Sequence, residues 1–187
     1  SSSAASDVYK RQGYDPAESG DSAGMVVVAP SPVPGGKFRV LERIQFRGMD
    51  FKAQAEMIRQ TTLRYYVTYI GVDITGMGTG VSQLVKQFFP NVTEFSYSPE
   101  VKTRLVLKTM DVIRHGRLEY DAGWTDLSQS LMSIKKTLTA SQRQMTFTAG
   151  RSEETGHADL AWALMHAIHN EPLEGQTQMN QSFLEIY

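Results

Sequence analysis

Three aspartates stand where a folded chain would present a carboxylate for chemistry. Asp73 closes the run Val67-Thr68-Tyr69-Ile70-Gly71-Val72, Asp15 lies in Gly13-Tyr14-Asp15-Pro16, and Asp159 lies in His157-Ala158-Asp159-Leu160-Ala161-Trp162. A short run rich in β-branched and aromatic residues and bounded by glycine reads as a buried strand, which puts Asp73 at a strand's carboxyl end. In open α/β sheets, ligands collect there. Clustered carboxylates repel one another, and a hard divalent cation such as magnesium, which prefers oxygen donors, keeps several of them ionised together. Two such ions held about 3.5–4 Å apart stabilise the attacking and leaving oxygens of phosphodiester cleavage. Taken singly, each aspartate has a plainer use: Asp73 closes a turn or caps the next helix, and Asp159 is a favourable charge at a helix N-terminus. The chemistry requires that the chain bring the three together.

The elements that would do so are legible in the patterning. Asp15 ends a first strand whose upstream half is missing or replaced by Val8 and Tyr9, and a second, valine-rich strand covers residues 25–29. Prolines and paired glycines over 30–36 mark a hairpin loop. Phe38, Val40, Ile44 and Phe46 share one parity in a third strand, interrupted by Glu42. Asp50 offers an N-cap for a helix through Phe51, Ala55, Ile58 and Thr62, which leads to the Asp73 strand. After the glycines, Val81, Leu84, Val85 and Phe88 mark a second helix, stopped by Pro90. Residues 92–97 alternate as a strand, and Ser98-Pro99-Glu100 opens a helix with apolar stripe Val101, Leu105 and Val112. A short strand near 117–120, a helix over 125–133 and extended pieces around Leu138 and Met145-Thr146-Phe147 follow. The last helix spans 156–170, with Leu160, Leu164, Ala167 and Ile168 as its buried stripe and Asp159, Ala163 and His166 on a flank. Hairpin strands followed by alternating helices and strands make a mixed α/β layout, one sheet covered on both faces. The Asp15 and Asp73 strands are then parallel neighbours, and the last helix delivers Asp159 to them.

Composition sets the outer bounds. The chain has 187 residues, 41% of them hydrophobic and 21% charged, as one globular domain requires. It has no cysteine, which excludes disulfides and thiolate metal sites and permits a reducing compartment. A net charge of −1 provides no global attraction to nucleic acid, so any such binding rests on local patches. No apolar run is long enough to span a bilayer and no charged-then-apolar leader is present, so a soluble, non-secreted protein is expected. Residues 1–12 differ from the rest: the first six are low-complexity, and Asp7-Val8-Tyr9-Lys10-Arg11-Gln12 resembles the conceptual translation of a transposon-end adapter used in sequencing libraries. That reading treats 1–12 as an artefact, starts the natural segment near Gly13, with a domain over 13–172 and a tail over 173–187, and implies further chain upstream.

Other residues lie near the three aspartates in these motifs or carry charge that could serve them. Asp21 is a possible fourth ligand, but a Gly-Asp-Ser turn explains it more simply. His157 suits orienting a ligand, assisting proton transfer or capping, and His166 with His169 reads as exposed helix positions. Lys102, Arg104, Lys108, Lys135, Lys136 and Arg143 are candidates to grip DNA phosphates, with a solvated charged face as the default. Trp124 and Trp162 read as core.

Gly13-Tyr14-Asp15-Pro16 with Gly20-Asp21-Ser22-Ala23, then Gly71-Val72-Asp73-Ile74-Thr75-Gly76, then Tyr97-Ser98-Pro99-Glu100-Val101-Lys102, then Arg151-Ser152-Glu153-Glu154-Thr155-Gly156-His157-Ala158-Asp159-Leu160-Ala161-Trp162 resemble the C-terminal nuclease domain of a tailed-phage terminase large subunit. The resemblance runs from Gly13 to the closing Phe183-Leu184-Glu185-Ile186-Tyr187. It rests on the order of the motifs, each weak by itself. It implies a ribonuclease-H-like fold, a mixed sheet with helices on both faces. It also implies a metal-dependent endonuclease that cuts concatemeric double-stranded viral DNA during packaging, in the host cytoplasm. Carried over position by position, it makes Asp15, Asp73 and Asp159 the catalytic ligands of two Mg²⁺ or Mn²⁺ ions. An upstream ATPase motor domain, absent from this chain, a small terminase subunit and a portal would accompany the full-length parent. Two rivals stay open: a nucleotide or phosphate cradle formed by Gly76-Met77-Gly78-Thr79-Gly80, and a non-catalytic domain that docks on DNA or portal. The cradle needs free backbone N–H groups around Gly76 to Gly80; the nuclease needs the three aspartates converging.

Overall fold

A computed structural model describes residues 9–16, 22–33, 35–149 and 158–169. Strands β1 (Lys10–Asp15), β2 (Ser22–Ala29) and β3 (Phe38–Arg47) form an antiparallel meander. Helix α1 (Phe51–Arg64) starts where the Asp50 carboxylate accepts the Ala53 N–H at 2.8 Å, and crosses to β4 (Val67–Asp73), parallel to β1. Helix α2 (Gly78–Val85) leads to β5 (Thr93–Phe95), parallel to β4. The Ser98 hydroxyl accepts the Val101 N–H at 3.2 Å and starts α3 (Pro99–Arg114), with proline in the first turn, where its missing N–H costs nothing. Strand β6 (Leu118–Glu119) then adds parallel to β3 at the opposite edge. Helix α4 (Thr125–Met132), the hairpin β7 (Ile134–Leu138) and β8 (Met145–Ala149), and α5 (Asp159–Ile168) complete the described chain. The main sheet has the order β5-β4-β1-β2-β3-β6, so β1 and β4 lie side by side near its middle.

Its two faces carry separate cores. Tyr14, Met25, Ile58, Ile70, Val72, Val81 and Val85 join β1, β2 and β4 to α1 and α2. On the other face Val26, Val28, Phe38 and Val40 pack with Leu160 and Leu164 of α5, while Trp162 and Met165 reach Leu105 and Val106 of α3. Trp162 is buried and Trp124 half-buried against this core.

Three expectations fail here for identifiable reasons. Phe38, Val40, Ile44 and Phe46 do not share a face. Val28 pairs with Val40 but Val27 pairs with Glu42, so Leu41 is an extra residue, a β-bulge that reverses the alternation. Phe38 and Val40 therefore join the α5 core, and Ile44 and Phe46 the α1 core. Glu42, on the α1 side, accepts from the Arg64 guanidinium at 2.8 and 2.9 Å. Second, α5 has no exposed flank: all ten of its residues are buried, because α3, α4 and the β7–β8 hairpin cover the side turned away from the sheet. His166 is wholly buried and His169 half-buried, neither of them an exposed helix position. Third, the strand expected over 92–97 stops at Phe95, since the Tyr97 N–H donates to the Thr75 hydroxyl at 2.9 Å instead of to a ladder.

Strand β1 starts at Lys10, and Lys10, Arg11 and Gln12 are buried in a central strand where apolar residues are the rule. Arg11 lies 3.7 Å from the Tyr69 ring centre and donates through Nε to the Ala167 carbonyl at 2.5 Å. The Gln12 amide nitrogen meets the Met25 sulfur at 2.9 Å, and its oxygen has no hydrogen-bond partner among the described residues. Val8, Asp21 and His157 lie outside the described residues.

Candidate functional site

Glycine makes the site possible, by removing side chains from the sheet face under α5. A Cβ on Gly13 would lie 1.7 Å from the Ala163 carbonyl oxygen, one on Gly24 2.6 Å from that of Asp159, and one on Gly71 3.1 Å from the His166 Cβ. These glycines belong to β1, β2 and β4, and α5 settles onto the backbone they leave bare. Strand parity puts Asp15, two residues after Gly13, and Asp73, two after Gly71, on that same face. Tyr14 and Val72 are ladder partners, so the two aspartates follow side by side at the carboxyl ends of parallel strands. Gly24 is the ladder partner of Asp15, and the first turn of α5 rests on it with Asp159.

All three carboxylates are buried. Burial raises the Asp15 pKa well above the usual carboxylate range; the charges of Asp159 and then Asp73 push it further, against the pull of Lys102. Burial also raises Asp73, opposed by the Thr75 hydroxyl and N–H, which donate to its Oδ1 at 2.6 and 2.8 Å, and by Lys102. Asp159 Oδ2 accepts from the Ser22 hydroxyl and, at 3.3 Å, from Gln45 Nε2, which also reaches Ser22 Oγ at 3.1 Å. The Leu41 bulge is what turns Gln45 to this side: without the extra residue its parity would aim it at α1. A helix N-terminus also favours the negative charge of Asp159.

The donor chemistry fits a hard divalent cation: the carboxylates are oxygen donors, withdrawn from water, and repel one another until a cation joins them. Among the described residues, no group of three or more Asp, Glu, His or Cys side chains is already spaced to enclose an ion. The carboxylates are gathered, with Asp159 held by Ser22 and Gln45 and Asp73 by Thr75.

The basic candidates divide. Lys102 is the one whose charge acts on Asp15 and Asp73, and its Nζ sits 5.6 Å from the Tyr97 ring centre. Arg104 and Lys108 line a cavity of about 910 Å³ with Glu100, Asp111 and Met145; none of the three aspartates lines it. Lys108 donates to the His169 carbonyl. Lys135 and Lys136 on β7 and Arg143 in the β7–β8 turn are exposed.

Of the glycines after Asp73, Gly76 takes a left-handed backbone with φ 63°, whereas Gly78 and Gly80 serve packing. The Gly80 N–H donates to the Met77 carbonyl at 3.1 Å, a Cβ on Gly78 would lie 2.0 Å from the Asp73 carbonyl oxygen, and one on Gly80 would strike the Phe51 ring at 2.8 Å. That engagement counts against a phosphate cradle, which needs the N–H groups free.

Sequence reading missed Ser22, Gln45, Thr75, Tyr97 and His166. Thr75 was findable, since an aspartate two residues before a threonine invites a local hydrogen bond. Gln45 was not, because the interruption at Glu42 does not show that the strand gains a residue there.

Sheet order, glycine floor and carboxylate placement define a ribonuclease-H-like α/β domain. Residues 12–171 match the family described as the terminase RNaseH-like domain, and the chain belongs to that family. It is 56% identical over 177 residues to the terminase ATPase subunit of Escherichia phage P2, covering 94% of this chain and 30% of that protein. It is 44% identical over 162 residues to a probable terminase ATPase subunit of Haemophilus phage HP1, covering 86% and 27%. The chain thus spans under a third of the length of these relatives. Among solved structures it resembles the large terminase nuclease of thermophilic phage G20c with bound magnesium, with a TM-score of 0.74 at 18% identity over 88% of this chain and 82% of that one. It also resembles the large terminase nuclease domain of bacteriophage SPP1 with bound Mn, with a TM-score of 0.56 at 12% identity over 88% and 87%. At such identities these likenesses speak for the fold.

Proposed function

We propose that this chain is the metal-dependent endonuclease domain of a phage terminase large subunit, cutting concatemeric double-stranded viral DNA during packaging in the host cytoplasm. The observation that carries the reading is the gathering of Asp15, Asp73 and Asp159 on one sheet face, the first two at the ends of adjacent parallel strands and Asp159 over Gly24, the ladder partner of Asp15. These three would hold two Mg²⁺ or Mn²⁺ ions. When bound, the cations would activate a water and offset charge on the departing phosphate oxygen. Thr75 fixes Asp73, Ser22 and Gln45 fix Asp159, and α5 with the strand ends withdraws the carboxylates from water. Lys102, whose charge acts on Asp15 and Asp73, would supply positive charge to a phosphate at the carboxylates, while Arg104, Lys108, Lys135, Lys136 and Arg143 are secondary candidates for the duplex backbone. In a longer parent, a motor domain, a small terminase subunit and a portal would bring the DNA. Among the described residues no helix is long and apolar enough to cross a membrane.

The test is nicking of supercoiled plasmid in Mg²⁺ or Mn²⁺, with a chelator control and Asp73→Asn beside the parent. Cutting that the chelator and the substitution both abolish is expected. A folded parent that cuts in neither metal sinks the nuclease reading and leaves the docking domain as the better one.

A further inference from the structure

Between the Asp73 strand and α5 lies a chain of hydrogen bonds of which the proposed chemistry uses only the first link, from Thr75 to Asp73. Thr75 donates twice to Asp73 Oδ1, and its hydroxyl accepts the Tyr97 N–H at 2.9 Å. The Tyr97 phenol lies 2.6 Å from His166 Nε2, and His166 Nδ1 lies 3.0 Å from the carbonyl oxygen of Tyr14, the residue before Asp15. The polarity of this chain follows from its ends. A carbonyl only accepts, so Nδ1 carries the proton and donates to Tyr14. A neutral imidazole then accepts at Nε2, and the Tyr97 O–H must donate to it. Stacking of His166 on Phe95, with ring centres 4.5 Å apart and planes 7° apart, fixes the imidazole plane. His166 lies on α5, two turns beyond Asp159. One residue, Tyr97, is thus tied by its N–H to the support of Asp73, and by its O–H to the helix that carries Asp159 and the strand that carries Asp15.

We infer that Tyr97 is a positioning residue that sets the spacing of the three carboxylates by tying the β4 end to α5 through His166. The inference rests on the nuclease reading. Tyr97 touches none of the reacting atoms; it acts through Thr75 and His166. Its ring packs tilted against Trp162 with centres 5.1 Å apart, so removing the hydroxyl alone leaves the packing in place. Groups that orient metal ligands from behind are generally worth 10–100-fold in metal affinity.

The test is Mn²⁺ binding by isothermal titration calorimetry for the parent and Tyr97→Phe, with metal-free thermal melts and plasmid nicking alongside. Tyr97→Phe is expected to bind Mn²⁺ roughly 10–100-fold more weakly while its metal-free melt stays cooperative and close to the parent's. A second pair removes dependence on that variant: Thr75→Ser, which keeps the hydroxyl, should bind like the parent, and Thr75→Val should not. Parent-like binding by Tyr97→Phe, or equal binding by the two Thr75 variants, overturns the inference. A folded parent that neither binds nor cuts overturns the nuclease reading itself, and this inference with it.

Discussion

Gly24 and Asp159 meet backbone against backbone: a methyl group on Gly24 would stand 2.6 Å from the Asp159 carbonyl oxygen and 2.5 Å from its carbonyl carbon. Because Gly24 is the ladder partner of Asp15, this contact sets how closely the α5 carboxylate approaches the β1 carboxylate. Gly24→Ala cannot be accommodated by turning a side chain, since the carbonyl carbon and oxygen it would strike are backbone atoms. Overpacking of this kind costs about 1–3 kcal/mol. The variant should unfold at lower urea concentration and lose most of its cleavage even where it is folded. Parent-like stability and cutting would mean that α5 does not rest on β2 as described.

Gln45 reaches Asp159 only because of the bulge at Leu41. Gln45→Leu removes the amide and keeps the bulk of the side chain. Its stability should change by about 1 kcal/mol or less, the worth of one net hydrogen bond, whereas its half-maximal Mn²⁺ concentration for cutting should rise. Ser22→Ala should act in the same direction, and the double variant should lose less than the two single effects combined, because both side chains serve one oxygen.

Asp15 predicts a conflict between stability and activity. Its pKa is raised in the folded chain, so the native state holds the proton more tightly than the unfolded one, and metal-free stability falls as pH rises past the unfolded value near 3.9. Asp15→Asn removes the charge at nearly constant volume. It should melt higher than the parent at pH 7.5 without metal, gain nothing from added Mn²⁺, and fail to cut. A variant less stable than the parent under those conditions would show that the Asp15 charge is not under strain.

His166 acts with the opposite sign in acid. Burial lowers its pKa to about 3, against an unfolded value near 6.5, so its contribution to stability is fully present above pH 6.5 and is lost as pH falls toward 3. Within that window the loss approaches about 1.4 kcal/mol per pH unit. Comparing denaturant midpoints of the parent and His166→Gln at pH 7, 5.5 and 4.5 isolates it from the carboxylates. The parent should lose stability faster than the variant as the solution is acidified; parallel curves would contradict a buried neutral imidazole.

Local chemistry was readable in the sequence. The Ser98-Pro99 start of α3, the Asp50 cap of α1 and the glycine-bounded strand ending at Asp73 follow from which residues satisfy helix ends and which fit a pleated, buried surface, and neighbours within a few positions decide these. The placement of Asp15 and Asp73 on adjacent strands was likewise legible, because hairpin order followed by a crossover helix leaves few arrangements.

Tertiary structure alone decided which side chains surround those carboxylates. A single extra residue at Leu41 reverses every face assignment from Glu42 onward, and a polar interruption at Glu42 does not reveal that reversal. Helical periodicity assumes burial on one side, so it misjudged His166 on a helix covered all round. The depth to which α5 sinks depends on Gly13, Gly24 and Gly71, which come from three strands and share a face only once the sheet has formed. The types of residue able to do the chemistry are therefore written locally, whereas their convergence is a property of packing between segments up to 150 or so positions apart, on the order that contact between β1 and α5 requires.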